Sequence, residues 1–120
     1  MVKSPKLKSG IRWAHVVYFD VNKFTINQDE KQKLEQFIDQ LPAPTFQPVK
    51  VTGHTDSDAG LAYNQQLSQS RVQTVVKFLN ANGIRNTYLS WLGEEMPLNN
   101  NISDAEKASN RRVEILIERP

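Results

Sequence analysis

The chain has 120 residues, 38% of them apolar, with no cysteine and a formal net charge of +2. That length suits one compact domain with a workable core, and the absence of cysteine excludes disulfides and thiolate metal ligation. Four basic residues (Lys3, Lys6, Lys8, Arg12) precede the first acid and leave 11 basic against 13 acidic residues beyond them, so no basic face invites nucleic acid and no such partner is expected.

Residues 1–12 read as a flexible basic lead without the apolar segment of a secretion signal, and 13–120 as the folded domain. No run approaches the roughly 20 apolar residues of a membrane-spanning helix, so membrane attachment is expected only through an anchor outside this chain. "WAHVVYF", Trp13 to Phe19, is β-branched and apolar enough for a buried strand. After the loop "DVNKFT", Asn27 is placed to cap a helix with Glu30 three residues on; Leu34, Phe37, Ile38 and Leu41 follow at helical spacing, and Pro42 and Pro44 end it. "TFQPVKVTG", Thr45 to Gly53, is β-rich, and Pro48 requires either an edge position or a strand that begins near Val49. Beyond a polar stretch, Val72, Val75, Val76 and Leu79 mark a second helix that Asn82-Gly83 stops. "TYLSWLG", Thr87 to Gly93, reads as a third strand. "PLNNNISDAEKASN" reads as a long surface loop with at most a short helical turn, and "RRVEILIE" closes as a fourth strand.

The order β-α-β-α-β-β predicts an α/β (α+β sandwich) domain: a small mixed four-stranded sheet with two main helices packed on one face. Alternation in the last strand assigns Val113, Ile115 and Ile117 to the helix side, with Glu114, Leu116 and Glu118 opposite.

The polar stretch "VTGHTDSDAGLAYNQQLSQSR", Val51 to Arg71, carries the chemistry. Asn64, Ser68 and Arg71 fall on one helical face that Val75 continues into the core. Helical side chains lean toward the N-terminus, so Arg71 should reach back toward Asp56 at the carboxyl end of a strand, where open α/β sheets keep their ligands. A carboxylate beside a guanidinium suits a small zwitterion or a peptide, the zwitterion asking for one acceptor-only group and one forked donor.

"GHTDS" (53–57), "YNQQLSQSR" (63–71), "GI" (83–84), "GEEMP" (93–97) and "NRRVEI" (110–115) together resemble the OmpA-like peptidoglycan-binding domain. That family also includes the peptidoglycan-associated lipoprotein and stator subunits of the MotB type. The resemblance implies a noncatalytic, cofactor-free module in the periplasm that tethers an outer-membrane or other envelope protein to Gram-negative peptidoglycan. It implies that Asp56 of the Thr55-Asp56 pair and Arg71 grip the ammonium and carboxylate of diaminopimelate in the stem peptide. Asn64 matches a position that hydrogen-bonds nearby, and Asp20 and Asn22 match the opposite wall. Of the two arginines in "NRRVEI", alternation favours Arg111 over Arg112 as a further carboxylate contact, without fixing which one points inward. A homodimer is compatible with the sequence. The pattern departs from the family at Asp58-Ala59-Gly60, where the glycine is displaced by one, at Glu106-Lys107 in place of Gly-Arg, and at Trp91 in place of glycine.

Plainer readings stand beside these. Asp56 and Arg71 would then be an ion pair pinning a loop to a helix, a contact often worth little. Asn64 and Ser68 would be helix caps, Arg111 and Arg112 a solvated strand end, and Trp13, Trp91 and Tyr88 packing residues. The pocket could also be vestigial in an envelope assembly module. A metal-dependent hydrolase of wall or phosphate substrates would draw on His54 and Asp56, yet His15 is the one other imidazole and a zinc site takes at least three protein ligands. Ser57 and Ser68 lack a G-x-S-x-G setting. No metal or other cofactor is expected.

Overall fold

The computed structural model describes residues 11–42, 48–95, 97, 99 and 101–119. The chain runs β1 (Ile11–Tyr18), α1 (Gln28–Asp39), β2 (Val49–Gly53), α2 (Leu61–Ala81), β3 (Thr87–Trp91), α3 (Asp104–Asn110) and β4 (Arg112–Arg119). One mixed sheet forms in the order β1-β4-β2-β3, with β4 antiparallel to β1 and β2, and β2 parallel to β3. β1 opens at Ile11, inside the segment read as a lead, whose first ten residues lie outside the described residues. Thr45 to Gln47, read as the start of the second strand, and Pro44 also lie outside them. β2 is an interior strand, and it accommodates Pro48 by beginning just after it.

Alternation in β4 places Val113, Ile115 and Ile117 against the helices, where they are buried with Val17, Val49 and Val51. α2 covers them with Val72, Val75 and Leu79, and α1 with Leu34 and Phe37. Full burial of each aliphatic side chain contributes about 1.5–3 kcal/mol, so this single apolar layer dominates stability. Gly53 lets β2 press against α2: a Cβ there would stand 2.5 Å from the Ser68 carbonyl oxygen and 2.6 Å from Val72 Cγ2.

Asn27 caps α1 by accepting the Glu30 N–H at 2.9 Å. Glu30 does not complete the box; its Oε1 accepts the Tyr18 N–H at 2.9 Å and fastens α1 to the end of β1. The region expected as a loop holds α3, opened by a full capping box in which Ser103 accepts the Glu106 N–H and Glu106 accepts the Ser103 N–H.

Candidate functional site

Three segments converge beyond the carboxyl end of β2: the β1–α1 loop, the 54–60 loop leading into α2, and the α3–β4 junction. They enclose a pocket of about 310 Å³ bordered by Asn22, Thr55, Asp56, Asn64, Arg71 and Arg111. Six of the seven expected site residues therefore meet. The seventh, Asp20, borders an adjoining pocket.

Arg71 occupies the floor with no solvent exposure. Its Nε donates to the Lys23 carbonyl at 2.8 Å, Nη1 to that of His54 at 3.2 Å and Nη2 to that of Asp20 at 3.2 Å. Three of the five N–H donors of a guanidinium are thus committed to backbone, leaving two. The group also lies 5.2 Å from the centre of the Phe19 ring. Burial lowers its pKa from 12.5 to about 10, a shift opposed by nearby Asp56, so the charge persists at neutral pH. Arg71 is consequently a buried positive floor that holds the β1–α1 loop and keeps two N–H donors beyond those three bonds.

Asp56 pairs with Arg111 instead. Oδ2 is 3.3 Å from Arg111 Nη1, and Oδ1 accepts the Asp58 N–H at 3.0 Å, which shapes the loop. Charge-assisted bonds of this type favour about 2.7–2.9 Å, so the ion pair is stretched. Arg111 Nε donates to the Phe19 carbonyl at 3.0 Å. It is the C-cap residue of α3, outside β4, and it borders the pocket, whereas Arg112 is buried beside Glu114 and Asn110. The solvated strand end is thereby replaced by two arginines with defined partners.

Thr55 is 1% exposed; its N–H donates to the Gly93 carbonyl, and its Oγ1 is buried with no partner among the described residues. Asn64 is a loop tie and not a cap: its Nδ2 donates to the carbonyls of Asp56 and Ala59 and to Glu94 Oε1. Ser68 donates to the Gln65 carbonyl and accepts the Gly93 N–H. The α2 N-cap is Gly60, with no side-chain bond and extended backbone, so the displaced glycine meets no steric demand here. Asn22 adopts φ 59°, which asparagine tolerates, and accepts from the Tyr63 hydroxyl. Two rim contacts escaped the sequence reading, Tyr63–Asn22 and Lys107 Nζ–Asp58 Oδ1 at 3.0 Å. Lys107 and Arg111 stand four apart and reach Asp58 and Asp56, a pattern legible only once α3 is known to be a helix.

The profile of the OmpA family matches residues 18–111. The chain belongs to the OmpA family. This OmpA-family domain is 33% identical over 124 residues to outer membrane protein A of Bordetella avium, covering 98% of this chain and 64% of that protein. It spans between about a third and two thirds of the length of the curated relatives it matches. Among solved structures, it is similar to the peptidoglycan-associated lipoprotein from Burkholderia pseudomallei, with TM-score 0.77, 26% identity and coverage of 85% and 88% of the two chains. It is also similar to the cell wall anchor of the T6SS from Pseudomonas aeruginosa, with TM-score 0.75, 28% identity and coverage of 91% and 82%. These neighbours share the mixed open sheet with helices that the OmpA-family domain displays.

The two histidines weighed for a metal site have other neighbours. His54 is 3% exposed, with Glu114 Oε1 3.8 Å from its Nε2, and His15 stacks on Phe37. Among the described residues of this OmpA-family domain, no group of three or more His, Asp or Glu side chains gathers.

Proposed function

We propose that this domain binds peptidoglycan without catalysis, through the free end of diaminopimelate in the stem peptide, and so holds an envelope protein to the cell wall from the periplasm. The observation that carries the reading is the stretched Asp56–Arg111 pair at 3.3 Å above a buried, charged Arg71. One carboxylate is held there by a cation loose enough to be exchanged. The ligand ammonium takes the place of Arg111 Nη1 on Asp56 Oδ2. Arg111 turns its forked donors to the adjacent carboxylate, and Arg71 supports that negative charge from below. Each charge exchanges one partner for another, so the desolvation cost that opposes buried ion pairs is small. Two structural neighbours, a peptidoglycan-associated lipoprotein and a cell wall anchor, support the same partner.

One such contact set yields modest affinity, so retention depends on an anchor elsewhere or on several copies, a homodimer included. Among the described residues no helix is long and apolar enough to cross a membrane.

The test is sedimentation with purified diaminopimelate-type sacculi in the presence of chelator. The domain is expected to pellet without releasing soluble fragments, and Asp56→Asn to remain in the supernatant with an unchanged circular dichroism spectrum. Fragment release would indicate an enzyme. Equal pelleting of Asp56→Asn would remove the pocket from wall binding and favour an assembly module.

A further inference from the structure

β3 closes one side of the sheet, with β2 as its single neighbour among the described strands. Its ladder is framed by bonds from the Val49 N–H to the Asn86 carbonyl and from the Leu92 N–H to the Gly53 carbonyl. In the parallel register the main-chain groups of Tyr88 and Ser90 therefore turn toward β2, and those of Thr87, Leu89 and Trp91 turn outward. Three residues present six such groups, one N–H and one carbonyl each. Two are satisfied within the chain: the Thr87 N–H donates to the Arg85 carbonyl at 3.1 Å, and the Trp91 carbonyl accepts from Gln65 Nε2 at 2.8 Å. The other four, the Thr87 carbonyl, both groups of Leu89 and the Trp91 N–H, have no partner among the described residues. Natural edges are guarded by charge, proline or a bulge. β3, with the sequence TYLSW, carries neither charge nor proline. Leu89 pairs in register with buried Val51 and so shares the helix face, yet it is 41% exposed because no strand flanks it. Tyr88, on the opposite face, is 59% exposed.

A second copy laid antiparallel along β3, with the two-fold axis at Leu89, supplies what is missing. The two Leu89 residues exchange both of their bonds, and each Trp91 N–H meets the Thr87 carbonyl of the other copy. That makes four bonds and uses every free group on both edges. The groups such a ladder would leave over are the ones already satisfied. Moving the axis to Tyr88 or Ser90 leaves two bonds, which decides the register. The side chains agree, since the Leu89 pair covers its own exposed flank. Exposed Arg85, ahead of β3, also comes to the end where exposed Glu95 follows β3 in the other copy. We infer that β3 joins two copies of this chain into one eight-stranded sheet, four strands from each, through an isologous contact centred on Leu89. Because β3 runs parallel to β2, the pockets beyond β2 then lie at opposite ends of that sheet. On the function proposed above, one pair holds two separate stretches of wall.

Sedimentation equilibrium of the unaltered domain tests this. The contact is small, so the weight-average mass should rise from that of a monomer toward twice that value between about 10 µM and about 1 mM. Leu89→Pro removes an N–H that the sheet does not use, and Leu89→Lys sets two ammonium groups opposite each other. Both should weaken association at least about tenfold and melt near the unaltered temperature; if Leu89→Pro unfolds, Leu89→Lys decides. The chain has no cysteine, so the register can be read by mild oxidation. Facing Cα atoms in such a pair stand about 5.5 Å apart, within disulfide reach. Leu89→Cys should therefore cross-link to a dimer. Tyr88→Cys, set opposite Ser90 of the other copy and diagonal to its own twin, should not. None of these positions borders the pocket, so binding of diaminopimelate at a single site should be unchanged, and this inference fails separately from the function proposed above. A domain that stays monomeric throughout the range overturns the inference and leaves the edge to a strand of another protein. Association that survives Leu89→Lys overturns it as well, and cross-linking of Tyr88→Cys equal to that of Leu89→Cys overturns the register.

Discussion

Arg71 is a cation kept where an aliphatic side chain would ordinarily pack. Truncation to alanine would strand three carbonyls and open a cavity in one step. Arg71→Ala is therefore expected to lose about 3–5 kcal/mol of stability, read by urea denaturation, and its loss of wall binding would say little about contact with ligand. Arg71→Lys should destabilise too, because an ammonium cannot reproduce the planar fork. Arg111→Ala is the informative variant: it should keep the fold and weaken binding at least about tenfold. The clustering of Asp56, Asn64 and Arg71 was legible in the sequence because helix periodicity and side-chain lean follow from local geometry. The role of Arg71 was not, since its acceptors at Lys23 and Asp20 are main-chain atoms 48 and 51 positions away, visible only in the folded loop.

Among the elements, β1, α1, α2 and β4 were readable from apolar periodicity, and of the two readings Pro48 allowed, an edge strand or a start near Val49, the structure shows the second. The third helix was not read as one, although its Ser103-x-x-Glu106 box was present in the sequence; seven residues with little apolar periodicity give a weak helical signal. That helix matters because it carries Lys107 and leads into Arg111. Ser103→Ala should cost about 1 kcal/mol of local stability, measured by amide exchange in α3, with a parallel loss of affinity. At the other end of the site, Gly53→Ala would drive a methyl into the Ser68 carbonyl and Val72. A loss of about 1–3 kcal/mol in thermal or chemical denaturation is expected, because backbone on both sides must shift.

For the whole molecule, one buried imidazole, His54, and one half-buried, His15, shape the response to acid. Burial lowers the pKa of His15 below 6.5; His54 is lowered by burial and then by Arg112, against the opposing pull of Glu114. Below pH 6.5 the unfolded chain binds these protons more readily than the native one. Their contribution is thus complete above 6.5 and declines as pH falls toward the lowered native values. The melting temperature should drop between about pH 7.5 and about pH 5, and His54→Asn should reduce that drop. A flat profile would show that neither imidazole is titrating out of a protected site. Glu106, whose pKa is lowered from 4.5 by hydrogen bonds from Ser103 and Ile102, acts in a more acidic range and does not confuse this window.

In the function proposed above, wall attachment reduces to one exchange of cations on Asp56. The most direct measurement is a titration of the domain with meso-diaminopimelate, followed by backbone amide chemical shifts, with a lysine blocked at its α-amino and α-carboxyl groups as the control that offers an ammonium without an adjacent carboxylate. Saturable shifts confined to Thr55, Asp56, Asn64 and Arg111, weaker with the blocked lysine and absent in Asp56→Asn, are the expected result. Shifts that bypass those residues, or that persist in Asp56→Asn, would contradict the account.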